Sequence, residues 1–224
     1  MADWVTISSL ATAGGTLVLA IATFSSVRSA NRSARIAERS LLVGLRPVLV
    51  PSREEDPTER LRFGDSHVLR VPGHGAAVEE EQGIVYLAIG LRNGGAGLAV
   101  LHGWRARIRQ DPHGDEMRER AVAVGPRPAP DLDEFRRQQV DLFVPAGDTG
   151  YWLGAMRDPG EAGRDEVLAA LRAGGLVQVD LLYGDHEGGQ RTIVRFLLSP
   201  WADAEAWRAV AINYWNVDGD DPRS

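Results

Sequence analysis

The chain begins with a long uncharged stretch, and mixed polar and apolar positions follow it. No charged residue lies between Trp4 and Val27. At about 1.5 Å per residue, a helix over this stretch is long enough to cross roughly 30 Å of hydrocarbon. Residues 17–22 are strongly apolar, and the Ser and Thr residues before them can bond back to helix carbonyls in lipid. The pattern predicts a transmembrane helix with Trp4 at the membrane interface.

A buried core helix and a cleaved signal peptide are the alternative interpretations of this stretch. A signal peptide carries basic residues before its apolar run, whereas only Asp3 and the terminal amine precede this one. The length of the run and its lack of charge favour insertion in a membrane.

Four arginines, Arg28, Arg32, Arg35 and Arg39, directly follow the apolar run. Their spacings of 4, 3 and 4 residues place them along one helix face, so we expect the helix to continue to about residue 43. The positive-inside rule predicts a single-pass protein of the cell membrane with its C-terminal side in the cytoplasm. This Arg stripe either binds anionic lipid head groups or only sets the topology, and the sequence leaves both open.

Gly44 and Pro47 end the helix, and many short strands are predicted after them. The clearest strand is 84–91, which is apolar on both faces as a covered central strand would be. Residues 72–82 are predicted to be a loop. One helix is predicted at 165–172, because acidic residues open it and glycines follow it. The remaining strands are predicted at 47–51, 61–63, 67–71, 98–108, 121–124, 138–144, 151–153, 176–183 and 192–198.

Residues 207–215 fit either a helix or a strand, and their β-branched and aromatic residues favour the strand. Short strands at regular spacing indicate a mainly β (α+β) fold, here an Ig-like β-sandwich with one short helix. The predicted organisation is a transmembrane and juxtamembrane helix over 1–44, a β-sandwich domain over 45–217 and a flexible tail over 218–224.

Composition excludes several classes of function. The net charge of −6 disfavours nucleic-acid binding, which needs a basic surface. All 25 basic residues are Arg, so chemistry that uses a lysine as base or Schiff-base former is excluded. The chain also lacks Cys, which excludes disulfides and thiolate sites.

The glycine-rich segment 93–97 is not a phosphate-binding loop. A P-loop needs Gly-Lys-Ser/Thr leading into a helix, and a strand is predicted to follow this segment. A bend between strands is the preferred interpretation. The histidines do not pair at metal-site spacing, and the acidic clusters at 185–187 and 218–221 are more typical of solvated loops. We therefore predict no catalytic, cofactor or metal site; the histidines are His67, His74, His102, His113 and His186.

Several motifs together resemble a family of bacterial membrane-anchored proteins of high-GC Gram-positive type, to which no activity is assigned. The resemblance rests on Arg46-Pro47-Val48, on Asn93, Gly95 and Gly97, on the block 183–196, on Trp207 and on 215–223. It implies the N-terminal span, the Arg-rich helix and the membrane location. The chain departs from the family at 213–215, where a basic Arg-His-Trp is expected, so no role that needs charge there is carried over.

Three hypotheses for function follow from these patterns. The leading one is a non-enzymatic membrane-anchored protein whose cytoplasmic β-sandwich binds another, unknown protein. The second is a small-molecule-binding or enzymatic domain with a site near Asp185, Arg191 and Trp215, which a deep pocket would favour. The third is sensing of anionic membrane lipid through the Arg stripe.

Overall fold

A computed structural model describes residues 4–108, 128–201 and 206–219. The chain divides into two compact units, Met1–Leu45 and Arg46–Ser224, of which the second is called the β domain below. The predicted strand at 121–124 and most of the predicted tail lie outside the described residues.

The first unit is a single α-helix, α1, which spans Trp4–Gly44. The predicted continuation of the apolar run into an Arg-bearing helix is confirmed. Thr12, Thr16 and Thr23 each donate a hydroxyl hydrogen bond to the carbonyl four residues earlier, at 2.8–2.9 Å. These bonds satisfy the polar side chains within the helix itself, as a lipid environment requires.

The segment Ser8–Gly44 contains a window that is long and apolar enough to cross a membrane, and none of that window is buried within the protein. Signal sequences and the core helices of soluble proteins pass the same test of length and composition, but a core helix would be buried. The large apolar side chains are instead more than half exposed, among them Leu17, Val18, Leu19, Ile21 and Phe24.

The β domain contains eleven described strands and one short α-helix. The strands are β1 (Leu49–Pro51), β2 (Glu59–Arg62), β3 (Val68–Val71), β4 (Gly75–Glu81), β5 (Ile84–Asn93), β6 (Ala99–Ile108), β7 (Arg136–Val144), β8 (Thr149–Met156), β9 (Val177–Gly184), β10 (Thr192–Pro200) and β11 (Trp207–Asn216). A 3-10 turn at Leu132–Glu134 precedes β7, and the helix α2 spans Arg164–Arg172.

Nine of these strands form one curled antiparallel sheet in the order β8-β5-β4-β11-β10-β9-β6-β7, with β1 also paired to β5. The two end strands approach each other, because an Arg136 guanidinium nitrogen on β7 donates to the Ala155 carbonyl on β8 at 3.3 Å. The hairpin β2–β3 forms a separate small sheet.

The curled sheet encloses the main core, and the β2–β3 hairpin covers a second, smaller one. Val85, Leu87, Ile89 and Leu91 of β5 point into the main core. Tyr86 and Ala88 pack against the hairpin, with Phe63, Leu69, Val71 and Ala77. Both faces of β5 are therefore buried, as its uninterrupted apolar sequence predicted.

The helix α2 closes one side of the main core with Val167 and Leu168. It ends where predicted, since Gly174 adopts the left-handed conformation at φ +67° that favours glycine after a helix. The predicted β-hairpin is also confirmed: β9 and β10 pair over seven residues.

Residues 207–215 form a strand, β11, as favoured, and this strand pairs with β10 and β4. The predicted loop at 72–82 was wrong, because β4 occupies Gly75–Glu81. Its small residues Ala76 and Ala77 carry little hydrophobic signal, yet both are buried. The mainly β class is confirmed, whereas all described strands except the β2–β3 hairpin join into one curled sheet and give no support to the Ig-like arrangement.

We expect a fragment of residues 45–224 to fold without α1, because both cores of the β domain are built from its own residues. It should be β-rich by circular dichroism and melt cooperatively. Removing residues 205–224 should cause aggregation, since β11 lies between β10 and β4 and its loss exposes both edges.

Removing only residues 220–224 is the matched control and should leave the fragment soluble by size-exclusion chromatography. An unfolded 45–224 fragment, or a soluble and cooperative fragment lacking β11, would contradict this account of the fold.

Candidate functional site

The side chain of Asn93 makes four hydrogen bonds to backbone groups of the β domain. It is fully buried at the end of β5. Its Oδ1 accepts from the amides of Val48 and Gly95 at 3.1 and 2.9 Å. Its Nδ2 donates to the carbonyls of Gly97 and Val144 at 2.6 and 2.9 Å. All four hydrogen-bonding positions of one amide are thus used, and they join three segments of chain: the residues before β1, the bend 94–98 and the end of β7.

Gly95 makes this arrangement possible by allowing a close backbone crossing. A Cβ at this position would lie 2.7 Å from the Val48 nitrogen and 2.8 Å from the Pro47 Cα, and would clash with the Arg46 carbonyl oxygen. The two short motifs Arg46-Pro47-Val48 and Asn93-x-Gly95 are therefore in direct contact. The prediction that the glycine-rich segment is a bend between strands, here β5 and β6, is confirmed.

The segment Arg46–Pro51, through which the chain enters the β domain, is held along its length. The Leu49 amide donates to the Tyr183 hydroxyl at 3.3 Å, and the Tyr214 hydroxyl donates to the Leu49 carbonyl at 2.8 Å. Burial raises the pKa of both phenols, so both remain protonated at neutral pH. The guanidinium of Arg46 donates to Asn216 Oδ1 at 2.7 Å and to Thr192 Oγ1 at 3.2 Å.

The three interaction candidates predicted from sequence are engaged in contacts within the domain. Asp185 stabilises the β9–β10 loop, since its Oδ1 accepts from the amides of Glu187 and Gly189 at 3.1 and 2.8 Å. Arg191 forms a two-point ion pair with Asp218, with distances of 2.6 and 3.0 Å from its guanidinium nitrogens to Oδ1. The bonds from Arg191 also hold the pKa of Asp218 below its ordinary value.

Trp215 is the third candidate, and its indole is almost completely buried. The guanidinium of Arg195 lies over the ring, 4.7 Å from its centroid. The site hypothesised at Asp185, Arg191 and Trp215 therefore gains no specific geometric support from these side chains. Among the described residues, no group of three His, Asp or Glu is placed to hold a metal ion.

A row of buried charges, which the sequence analysis missed, crosses the outer face of the sheet. Asp180 on β9 is fully buried, and the registers place it opposite Arg105 of β6 and Arg195 of β10. Arg105 Nε donates to Asp180 Oδ2 at 2.7 Å, and Arg195 Nε donates to Oδ1 at 2.7 Å. Glu134 then joins Arg105 to Arg107. The sequence signal that could have revealed this row is a charged residue, Asp180, inside the mostly apolar strand 177–184.

His102 lies where the pairing of β6 with both neighbours is interrupted by a register shift. Its Nε2 is buried and has no hydrogen-bond partner among the described residues. Burial is the main cause that lowers the pKa of His102, and Arg191 lowers it further. The ring is thus kept neutral, as a packing residue would be.

His67 packs against the second core. Its ring stacks on Tyr86 with centroids 3.9 Å apart, and its Nδ1 lies 2.7 Å from a Glu81 carboxylate oxygen. The hydroxyl of Tyr86 donates to Asp65 at 2.7 Å, which lowers the pKa of that carboxyl. These contacts fasten the β2–β3 hairpin to β4 and β5.

The Arg stripe lies on α1, where all four arginines are exposed. Arg32, Arg35 and Arg39 surround Ile36 on the helix surface. The helical geometry therefore brings the stripe residues to neighbouring positions, as their spacing predicted.

Comparison with protein-family models, with curated proteins and with solved structures finds no match. The resemblance to a bacterial membrane-anchored family thus stays a prediction from the motifs. What the protein does has to be inferred from its own residues.

We expect Asn93→Ala to destabilise the 45–224 fragment by roughly 3–5 kcal/mol, because it leaves several buried backbone groups without partners. Urea unfolding followed by circular dichroism measures this change. Asn213→Ala is the matched control, since this half-exposed asparagine on β11 makes no side-chain hydrogen bond in the described structure. If Asn93→Ala lowers the free energy of unfolding by less than about 1 kcal/mol, the hydrogen bonds of the Asn93 side chain are not needed for stability.

Proposed function

We propose that this protein is a single-pass membrane protein whose β domain lies in the cytoplasm and binds another protein, without an enzymatic role. The observation that carries the proposal is the helix α1 itself. An apolar, unburied window on this helix is followed directly by four exposed arginines. That order of features is typical of a membrane anchor with its C-terminal side inside.

The Arg stripe is proposed to contribute to this anchor in two ways. Arginines beside a span fix its orientation, because translocating them is costly. Near an anionic membrane surface each also contributes about 1 kcal/mol of attraction. We assign the stripe to anchoring and treat lipid contact as part of that role.

The contacts of the β domain support an interaction module over a catalytic one. Asp185 and Arg191 hold loops, Trp215 lies under Arg195, and the pKa of His102 is lowered by burial. These groups serve the fold, and among the residues that the structure describes none of them has an activated proton donor or nucleophile beside it. A folded domain held at a membrane is well suited to bring a partner to that surface.

The absence of Cys makes the topology directly testable. We expect a cysteine at Ala2 to react with an impermeant maleimide added outside intact cells, and a cysteine at Ser224 to react only after lysis. Carbonate extraction should leave both variants in the membrane pellet. Replacing all four stripe arginines with Gln should yield a mixture of orientations, because the positive-inside signal is then lost.

Arg60→Cys is the matched control for accessibility, since it places the probe on an exposed strand position of the β domain. Recovery of the protein in the soluble fraction, or labelling at Ser224→Cys in intact cells, would contradict the proposed anchoring or orientation.

The absence of Lys allows an equally direct test of protein binding. Carbodiimide joins carboxylates to amines, and this chain offers many carboxylates but only its α-amino group as an amine. Two copies of the chain therefore cannot be joined except through that terminus. We expect carbodiimide treatment of native membranes to give a discrete larger product that contains a second protein. The control is the same treatment after acetylation of the membranes, which should abolish the product. If carbodiimide gives no such product in membranes that have not been acetylated, the proposed interaction role is refuted.

A further inference from the structure

The pairing registers define one face of the sheet that points away from the main core. On β10, Val194, Phe196 and Leu198 belong to the core, so Arg195 and Leu197 lie on the opposite face. Directly paired residues of an antiparallel sheet share a face. The outer face therefore carries one row of Arg105, Asp180, Arg195 and Asn213, and a second row of Arg107, Gln178, Leu197 and Val210.

Arg137 and Arg208 extend this face at its margins. Arg137 pairs with Gly103, which precedes the two rows on β6, and Arg208 pairs with Ser199 next to the second row. We call this surface the arginine face; it comprises Arg105, Arg107, Arg137, Arg195 and Arg208, with Asp180 and Glu134 as its acids. Counted over these described residues, five arginines and two acids, its net charge is about three positive units at neutral pH.

The β domain as a whole has the opposite charge. Residues 1–45 contain the four stripe arginines and two acids, Asp3 and Glu38. Removing them from the chain's 25 basic and 31 acidic residues leaves the β domain with a net charge of −8. A cationic face on an acidic domain is a specific feature of this surface.

Exposed apolar side chains lie among the arginines of this face. Val210 is 41% exposed and pairs with Leu197, while Ile212, 36% exposed, is the extra residue of a bulge in β11. Trp201 is 42% exposed, and the guanidinium of Arg208 stacks over it at 4.6 Å. Arginine and tryptophan around an apolar centre are the residue types that dominate binding energy in protein interfaces.

We propose that the arginine face is the docking surface for an acidic, apolar polypeptide segment of a partner protein. This inference rests on the proposed interaction role and names its surface and the chemistry of its partner. Carboxylates of the segment pair with Arg107, Arg137 and Arg208, and its apolar side chains cover Val210 and Trp201. A second copy docking by the same face is disfavoured, because a two-fold interface would place arginines opposite arginines.

The test places the photo-crosslinking residue p-benzoylphenylalanine at position 210 of the full chain in native membranes. We expect one major cross-linked protein, and the peptide attached at position 210, identified by mass spectrometry, should carry Asp or Glu among large apolar residues. Adding Arg107→Glu and Arg208→Glu should lower the cross-linking yield about tenfold, since both replace attraction with repulsion.

Two matched controls use the β2–β3 hairpin. The crosslinker at Arg60, which is exposed on β2, should not capture the same protein, and Arg60→Glu with Arg62→Glu should leave the yield at position 210 unchanged. These variants reverse two exposed arginines elsewhere on the same domain.

Each contrary outcome overturns the inference. The three contrary outcomes are an attached peptide that comes from a second copy of this chain, an adduct that is a lipid, and charge reversals that leave the cross-linking yield unchanged. If carbodiimide gives a partner protein but position 210 captures nothing, the arginine face is wrong while the interaction role stands. If carbodiimide gives no partner, both fail.

Discussion

The described part of the β domain depends on one fully saturated amide, that of Asn93. A buried polar group is tolerated only when its hydrogen bonds are made, and here all four are made to backbone groups, which lie in three segments of the chain. The amide thereby provides hydrogen-bond partners for backbone groups beside β1, in the bend before β6 and at the end of β7. Regular strand pairing stops at each of these positions. The crossing at Gly95 and the placement of the Arg46–Pro51 segment follow from it. The fold can thus admit a strand of only three residues at its first position.

The buried row around Asp180 obeys a related constraint on the opposite face. A fully buried carboxylate is costly unless it is paired and hydrogen-bonded, and two guanidiniums supply both conditions. Because the pairs run across three neighbouring strands, they favour one register of β6, β9 and β10. The excess arginine charge then remains at the margins of the face, where it is exposed. The ion pairs that the fold requires thus lie on the same face as the exposed arginines of the proposed docking surface.

Sequence patterns were sufficient for elements with strong periodicity or clear punctuation. They predicted α1, the buried strand β5, the helix α2, the hairpin β9–β10 and the strand β11. They missed β4, because Gly75, Ala76 and Ala77 lack the large apolar side chains that mark a strand, although all three are buried. They also could not order the sheet, since pairing between β4 and β11 joins residues more than a hundred positions apart. The contacts of Asp185, Arg191 and Trp215 depend on such long-range pairing. From the sequence alone these three residues were therefore predicted to be free to contact a ligand or partner.

The fastening of the Arg46–Pro51 segment has a consequence for mechanical load. A pull transmitted along the chain through Leu45 reaches Arg46 first, and then Val48 and Leu49, before any strand of the sheet other than β1. The bonds from Arg46 to Asn216 and from Tyr214 to Leu49 connect that load to β11, and Asn93 connects it to β5. Tension is therefore shared between two strands of the sheet and does not peel β1 away alone. The rate at which this segment detaches under force sets the tension that the domain can withstand while still folded.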